Sequence, residues 1–391
     1  MRVAMLMNFI APYRVPFYEG VRDRVSEFRF FLSTAMESDR SWVAEWGTLD
    51  VEVQRNLTFK RPYRDPFGFR RQLLIHVPYD TMQRLWRFRP DAVISVELGP
   101  RSIQAALFKL LRPRTTLLIW CMLSEHSERG WGRARRVVRG WILARADAVL
   151  VNGESGARYV RQFGVPDPQI HRVNQPVDIA RFAAVPRSRP ETEVSRLLCV
   201  GTLTGRKGVL PFAERLAKWA RQHPARSLEM WWLGSGDQHA ALAALALPDN
   251  LRQVFCGDLP YAEVPQVYAQ CDLLVFPTLL DEWGLVVNEA MAAGLPVLGS
   301  IYSQAVEELV VEGNTGWVFD AVDAASADAA LDRALGVAPE RLVAMRAAAR
   351  QRIATLTPET AARKVVEALH QASATERRNR PGSVPARPEA C

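Results

Sequence analysis

Two doubly wound α/β domains, each built on a parallel sheet, are what this sequence predicts, and three observations predict them. Short β-branched or aliphatic runs alternate with helix-length amphipathic segments, the pattern of a parallel sheet with helices on both faces. The alternation breaks at a Pro- and charge-rich stretch, Val185 to Glu193, whose composition suits an exposed linker, and then begins afresh. At 391 residues and 48% hydrophobic content, the chain is too long for one ordinary α/β domain and apolar enough for two cores.

In the first series, Val3 to Met7 reads as a strand and Val15 to Val25 as a helix. The pairs Ala92 to Val96 with Arg101 to Leu111, Thr116 to Cys121 with Arg133 to Ala146, and Ala148 to Asn152 with Gly156 to Phe163 follow. No small-residue cleavage site comes between Met7 and Tyr13-Arg14, which fits a first strand rather than a signal peptide. Strands of the second series are expected at Arg196 to Gly201, Leu228 to Gly234, Asp272 to Pro277, Leu295 to Gly299 and Gly316 to Phe319. Thr357 followed by Pro358 supplies a cap and a first-turn proline, so a last helix is expected from about Pro358 to Ala372. Beyond it, Glu376 to Cys391 lacks an apolar face and predicts disorder. The divisions are thus 1–183, 184–357, a final helix at 358–373 and a tail at 374–391.

A net charge of +8 draws the protein to anionic partners without choosing among phosphorylated ligands, membranes and nucleic acid. The cysteines at 121, 199, 256, 271 and 391 form no Cys-x-x-Cys pair, and the first four lie in apolar runs, as buried thiols of a reducing compartment do. No apolar run approaches the roughly 18 residues that span a bilayer. A cytoplasmic protein is expected, peripheral on the inner face of a membrane if it touches one. Basic residues mixed with aromatics would serve that contact: Arg129, Arg133, Arg135, Arg136 and Arg139 beside Trp131 and Trp141, and Lys60, Arg61, Arg64, Arg70 and Arg71 around Tyr63, Phe67 and Phe69. An ordinary solvated helix face has the same composition; sedimentation with anionic liposomes separates the two.

The chemistry concentrates between Asp281 and Ser300. A helix must start near Gly284 at the carboxyl edge of the second sheet, where open α/β sheets bind ligands. Glu289 falls in its first two turns among Val286, Val287, Ala290 and Met291. A carboxylate in that company needs hydrogen-bond donors, which sugar hydroxyls supply, while free amides at the helix start suit a pyrophosphate. A helix cap or a core arginine partner would account for Glu289 equally well.

Asp281, Trp283-Gly284 and Glu289-Ala-Met-Ala-Ala-Gly-Leu-Pro-Val297 resemble the glutamate-x7-glutamate motif of retaining glycosyltransferases of family 4, of GT-B fold. Asp281 stands where that motif has its first glutamate, and Glu282 is the alternative. Val200-Gly-Thr-Leu-Thr-Gly-Arg-Lys-Gly208 is similar to the family's Gly-Arg-Leu-x-x-x-Lys-Gly loop, with Lys207 at the lysine position, Thr202 in place of the arginine, and Arg206 as the candidate replacement. An exposed turn lysine is the bland alternative for Lys207.

The resemblance implies two Rossmann-like domains facing a cleft, with the final helix crossing back to the first. It implies transfer of a sugar from a nucleoside diphosphate sugar, UDP or GDP, to an acceptor hydroxyl with retention and no required metal. Glu289 would hold the ribose, Asp281 would lie near the donor sugar, and Lys207 would offset charge on the leaving diphosphate. Thr202, Arg206, Gly257, Trp283, Gly284, Leu285 and Val286 would complete the donor site. Tyr13 and Arg14, in a loop similar to that of one subgroup, are candidate walls of the pocket. Glu125 and His126 follow the strand where relatives carry a histidine, and His126 is a candidate catalytic residue. The setting implied is bacterial glycan, lipopolysaccharide or glycolipid assembly, with a glycan or glycolipid acceptor. Two rivals remain: a nucleotide-sugar epimerase of the same fold, which needs no acceptor, and a nonspecific nucleic-acid-binding protein, which leaves Glu289 unexplained.

Overall fold

The computed structural model describes residues 1–37, 43–64, 67–128, 132–189 and 194–378. Two parallel sheets form its centre. The first runs, edge to edge, Asp50–Val53, Glu27–Leu32, Arg2–Met7, Ala92–Val96, Thr116–Cys121, Ala148–Val151 and Ile170–Arg172. The second runs Leu251–Gly257, Leu228–Leu233, Arg196–Val200, Leu273–Phe276, Val297–Ser300 and Gly316–Phe319. Central strands such as Ala92–Val96 and Leu273–Phe276 are buried along their whole length, because helices cover both faces of each sheet. The architecture is the doubly wound α/β pair with the GT-B arrangement.

Strand order reverses between Arg2–Met7 and Ala92–Val96 in the first sheet, and between Arg196–Val200 and Leu273–Phe276 in the second. At such a switch point the neighbouring connections leave in opposite directions and open a crevice at the carboxyl edge. Two crevices are therefore built into the molecule by topology alone.

Several elements lie outside the sequence expectations. Glu27–Leu32 and Asp50–Val53 extend the first sheet on one side, Ile170–Arg172 extends it on the other, and Leu251–Gly257 closes an edge of the second. An antiparallel hairpin, Asn56–Arg64 with Arg70–Pro78, stands apart from both sheets. Its near end reaches the second domain: the Phe67 ring lies 5.1 Å from that of Tyr302, and Phe69 packs beside Gly205. These two aromatics, expected on a membrane-facing surface, thus contact protein. Arg139 of the same expected surface is also buried, bound to Glu128 and the Tyr159 hydroxyl. Arg129 and Trp131 lie outside the described residues, as do the side chains of Arg70 and Arg71.

The final helix, Pro358–Arg378, packs Ala361, Ala362, Val365, Ala368, Leu369 and Ala372 into the core of the first domain. Close approach is possible because Gly20 faces it; a Cβ there would sit 3.0 Å from that of Ala362. The helix continues past the expected limit at 373, so 374–378 are helical rather than part of a tail. Ser373 and Thr116 share a 3.0 Å hydrogen bond at that point, which anchors the helix where it would otherwise fray. The rest of the expected tail, 379–391, lies outside the described residues. Among the described residues no helix is long and apolar enough to cross a membrane. Cys121, Cys199 and Cys271 are buried free thiols and Cys256 is partly buried; burial drives the Cys199 thiol up to about 12, so it stays protonated.

Candidate active site between the two switch points

The two crevices face each other across one cavity of about 1350 Å³. Asn8 and Glu97 border it from the first switch point, Thr202 and Arg206 from the second, and Glu282 from the loop after Leu273–Phe276.

The second switch point is built around the Phe276 ring. Lys207 places its ammonium 4.8 Å from the ring centroid, and a Cβ on Gly284 would lie 2.6 Å from the ring edge. Gly284 adopts φ 102°, a left-handed conformation that lets the chain turn into the helix Leu285–Ala293 at this close range. No side chain caps that helix, and while the Val287 amide donates 3.0 Å to the Gly284 carbonyl, the Leu285 and Val286 amides keep their hydrogen-bonding capacity for something else. The ammonium and the helix mouth therefore share one corner of the domain.

Lys207 donates to Asp281 Oδ2 at 2.6 Å, with Arg206 at 3.6 Å from the same oxygen. Burial alone would raise the Asp281 pKa, but the charges of Lys207 and Arg206 hold it below the ordinary value. Arg206 also donates to the Leu280 carbonyl at 2.9 Å, which fixes it to the loop.

Glu289 is 7% exposed and sits inside, as its apolar neighbours imply. Its donors are protein groups: the Tyr268 hydroxyl at 2.9 Å on one oxygen and the Tyr261 hydroxyl at 3.3 Å on the other. Burial pushes its pKa up to about 7, against the smaller opposing effect of the two tyrosines. Tyr268 is wholly buried, whereas Tyr261 is 37% exposed and rests against Phe182 and Arg181. Glu289 therefore neither caps a helix nor pairs with an arginine.

The helix is tied to the first domain by a relay. Trp283 donates to Asn288, whose amide donates 2.9 Å to the Gln175 carbonyl, and Arg14 binds the Gln175 side chain. The adjoining loop is pinned as well: Asn152 and Gln304 donate to the Glu282 carbonyl at 3.2 and 2.6 Å. With that carbonyl held, the Asp281 side chain turns to Lys207 and the Glu282 side chain to the cavity.

The structure thus gathers Lys207, Arg206, Asp281, Trp283, Gly284 and Glu289 at one edge of the second sheet. Thr202 is exposed on the cavity wall. Leu285 and Val286 form the partly buried first turn of the helix, and Gly257 lies exposed at the end of its strand with φ 65°. The candidates of the first domain are placed differently. Arg14 is engaged with Gln175, and Tyr13 is 37% exposed beside it. Glu125 binds Arg158, which also reaches Glu307 of the second domain. The His126 ring meets Tyr302 edge-on at 5.3 Å. None of these four is among the residues bordering the cavity. Sequence reasoning did not single out Glu97, Gln175, Asn288, Tyr261 or Tyr268. For Glu97 a signal existed: it directly follows the Ala-Val-Ile-Ser-Val strand, apolar but for Ser95, and precedes a Gly-Pro helix start.

Comparison with known proteins agrees with this architecture. Residues 10–175 match the model of the glycosyl transferase 4-like domain and residues 194–336 that of glycosyl transferases group 1. Among solved structures, the apo lipopolysaccharide outer core galactosyltransferase WaaB superposes with TM-score 0.70 at 15% identity over 95% of this chain and 99% of that one. HepE from Anabaena in complex with UDP gives 0.70 at 16%, over 95% and 100%. Fold and switch-point geometry therefore define a GT-B protein. The two models between them span most of the sequence, and the chain belongs to the group 1 glycosyl transferases. Curated relatives include a glycogen synthase of Mycobacterium tuberculosis, 29% identical over 195 residues, covering 48% of this chain and 46% of that protein. A D-inositol 3-phosphate glycosyltransferase of Corynebacterium efficiens is 28% identical over 208 residues, 49% of each. The chain spans about half the length of these curated relatives.

Proposed function

We propose that this protein transfers a sugar from a nucleoside diphosphate sugar to an acceptor hydroxyl with retention at the anomeric carbon. The observation that carries the proposal is the buried Glu289 carboxyl on an uncapped helix whose mouth shares the Phe276 ring with the Lys207 ammonium. In this reading Glu289 exchanges a tyrosine hydroxyl for the ribose hydroxyls, and the diphosphate takes the helix amides and Lys207. Tyr261, half-exposed and bonded at the longer distance, is the partner that yields.

As the glycosidic bond breaks, charge builds on the diphosphate oxygens, and donors fixed beforehand stabilise that change without reorganising. Lys207 releases Asp281 for this purpose, and the freed carboxylate faces the donor sugar. The proton of the acceptor hydroxyl leaves with the departing phosphate. UDP is the first donor to try, since HepE, a neighbour of the same fold, was solved with UDP and with UDP-glucose. Domain limits near 183 and 357 are proposed on the same basis.

A thermal-shift screen of UDP, GDP and ADP sugars tests this. One of them is expected to raise the Tm of the wild type at millimolar concentration and to lose that effect in Glu289→Ala. The anomeric signal of the product, followed by NMR before mutarotation, reads retention. Nucleotide stabilisation that survives in Glu289→Ala would sink the assignment of the ribose site.

A further inference from the structure

The cavity has a second wall that the donor reading does not use. Glu97 ends the strand Ala92–Val96 at the first switch point and has φ 71°, one of only two non-glycine residues with positive φ among those described. Its backbone is held there from both sides: its amide donates 2.9 Å to the Trp120 carbonyl, and Ser102 donates to its own carbonyl. The turn that follows opens the helix Pro100–Leu111 and faces the cavity.

The Glu97 carboxylate accepts no hydrogen bond from any described residue. Arg101 supplies none: it is 5% exposed and donates to Asn8, to Ser33 Oγ at 3.0 Å and to the Val96 carbonyl at 3.3 Å, and its Nε–H makes no hydrogen bond to Glu97 or to any other described residue. Arg139 is likewise committed to Glu128 and Tyr159. From the opposite domain Glu282 faces the same space, and its carboxylate also lacks a hydrogen-bond donor among the described residues. Two acceptor-only groups thus confront each other across the cleft, one from each domain.

Resting on the transferase reading of the cleft, we propose that Glu97 selects a neutral, hydroxyl-rich acceptor by accepting hydrogen bonds from its hydroxyl groups. A polyol supplies the donors these oxygens lack. A phosphate or carboxylate ligand offers no such proton and adds a negative charge beside Glu97, Glu282 and Glu128, a repulsion that Arg61, Arg101, Arg135 and Arg206 on the cavity wall reduce but that still favours neutral ligands next to Glu97. Burial and the charges of Glu282 and Glu128 raise the Glu97 pKa to about 7, with Arg101 and Arg139 opposing, so the preference weakens in mild acid.

Saturation-transfer NMR on the full chain provides the test, with and without UDP. The neutral probes are methyl β-D-galactopyranoside and methyl α-D-glucopyranoside; the anionic probes are D-glucuronate and D-glucose 6-sulfate, whose charge does not change between about pH 5 and pH 8. At pH 8 the neutral probes are expected to bind at least fivefold more tightly than the anionic ones. This preference is expected to narrow below pH 6 in the wild type. In Glu97→Gln, neutral binding should weaken at least fivefold and the pH dependence should vanish, while the Tm increment from UDP stays unchanged. Preference for the anionic probes, absence of neutral binding, or neutral binding unaltered in Glu97→Gln would overturn the proposal. If that variant does not fold, the wild-type pH series still decides. Loss of the UDP increment in the wild type counts against the donor reading alone, because the sugar arm is measured without UDP as well.

Discussion

The two switch points treat charge in opposite ways. In the second domain the groups of the proposed donor site are held by protein partners, Lys207 by Asp281 at 2.6 Å and Glu289 by two tyrosine hydroxyls, with Glu282 on the cavity wall the exception. In the first domain Glu97 borders the same cleft with no donor among the described residues, on a backbone locked by Trp120 and Ser102. The paired half must exchange partners to bind a ligand. The unpaired half needs only a ligand that carries donors. Under the proposed function the first is a site stabilised at rest and opened by diphosphate, and the second is a filter already set.

Removing Lys207 breaks the paired half most severely. Lys207→Ala leaves Asp281 largely buried, with Arg206 at 3.6 Å as its remaining cation and the Trp283 amide donating at 3.3 Å. A loss of about 3 kcal/mol is expected in urea unfolding, since an orphaned buried charge typically costs about 3–5 kcal/mol. Lys207→Ala combined with Asp281→Ala is expected to recover most of it. Turnover should fall by about 10²–10³ in both variants, because donor stabilisation of the leaving group is lost either way. Equal stability of single and double variants would show that the pair does not hold this corner together.

Glu289 sharpens the comparison through pH. Its folded pKa of about 7 lies above the 4.5 of an unperturbed glutamate. The stability tied to its protonated form is therefore fully present below pH 4.5 and lost as pH rises to 7. Glu289→Gln removes that dependence: it should match the wild type near pH 4 and exceed it above pH 7. The folded pKa already contains the effect of the two tyrosine bonds, so the gain expected above pH 7 is the full linkage, about 3 kcal/mol. Denaturant midpoints at pH 4.5, 6 and 8 measure it, and a constant offset across the series would refute the assignment.

Legibility in the sequence follows the same divide. The helix Leu285–Ala293, Lys207 and Glu289 are readable because the groups that make that corner lie in two short contiguous segments. The strands Glu27–Leu32 and Asp50–Val53 are not: Glu27-Phe-Arg-Phe-Phe-Leu32 mixes charges into its apolar run, because it lies next to the sheet's edge strand. Glu97 is invisible for another reason. Its meaning comes from Arg101 donating to Asn8 and Ser33 instead of to it and from Glu282 arriving from 185 positions away, and neither fact is local. For Glu289 the sequence predicts sugar hydroxyls as donors, whereas Tyr268 and Tyr261 fill that role in the structure.

The smallest effect concerns what keeps the two halves facing each other. Arg158 bridges Glu125 of its own domain and Glu307 of the other at 2.6 Å each, but its side chain is 38% exposed. Solvent screens such pairs, so Arg158→Ala should cost no more than about 1 kcal/mol, and less in about 1 M salt. A second tie remains beside it, Glu308 accepting from the Glu154 amide at 2.5 Å, and a Cβ on Gly153 would collide with that same glutamate at 2.7 Å. Arg158→Ala should therefore leave the compactness of the molecule in small-angle scattering unchanged, and so should Gly153→Ala, whose Cβ displaces only the Glu308 side chain while Asn152 and Asn288 still bridge the domains. An expanded Arg158→Ala would mean that exposed ion pairs, rather than the buried hydrogen bonds of Asn152 and Asn288, hold the cleft shut.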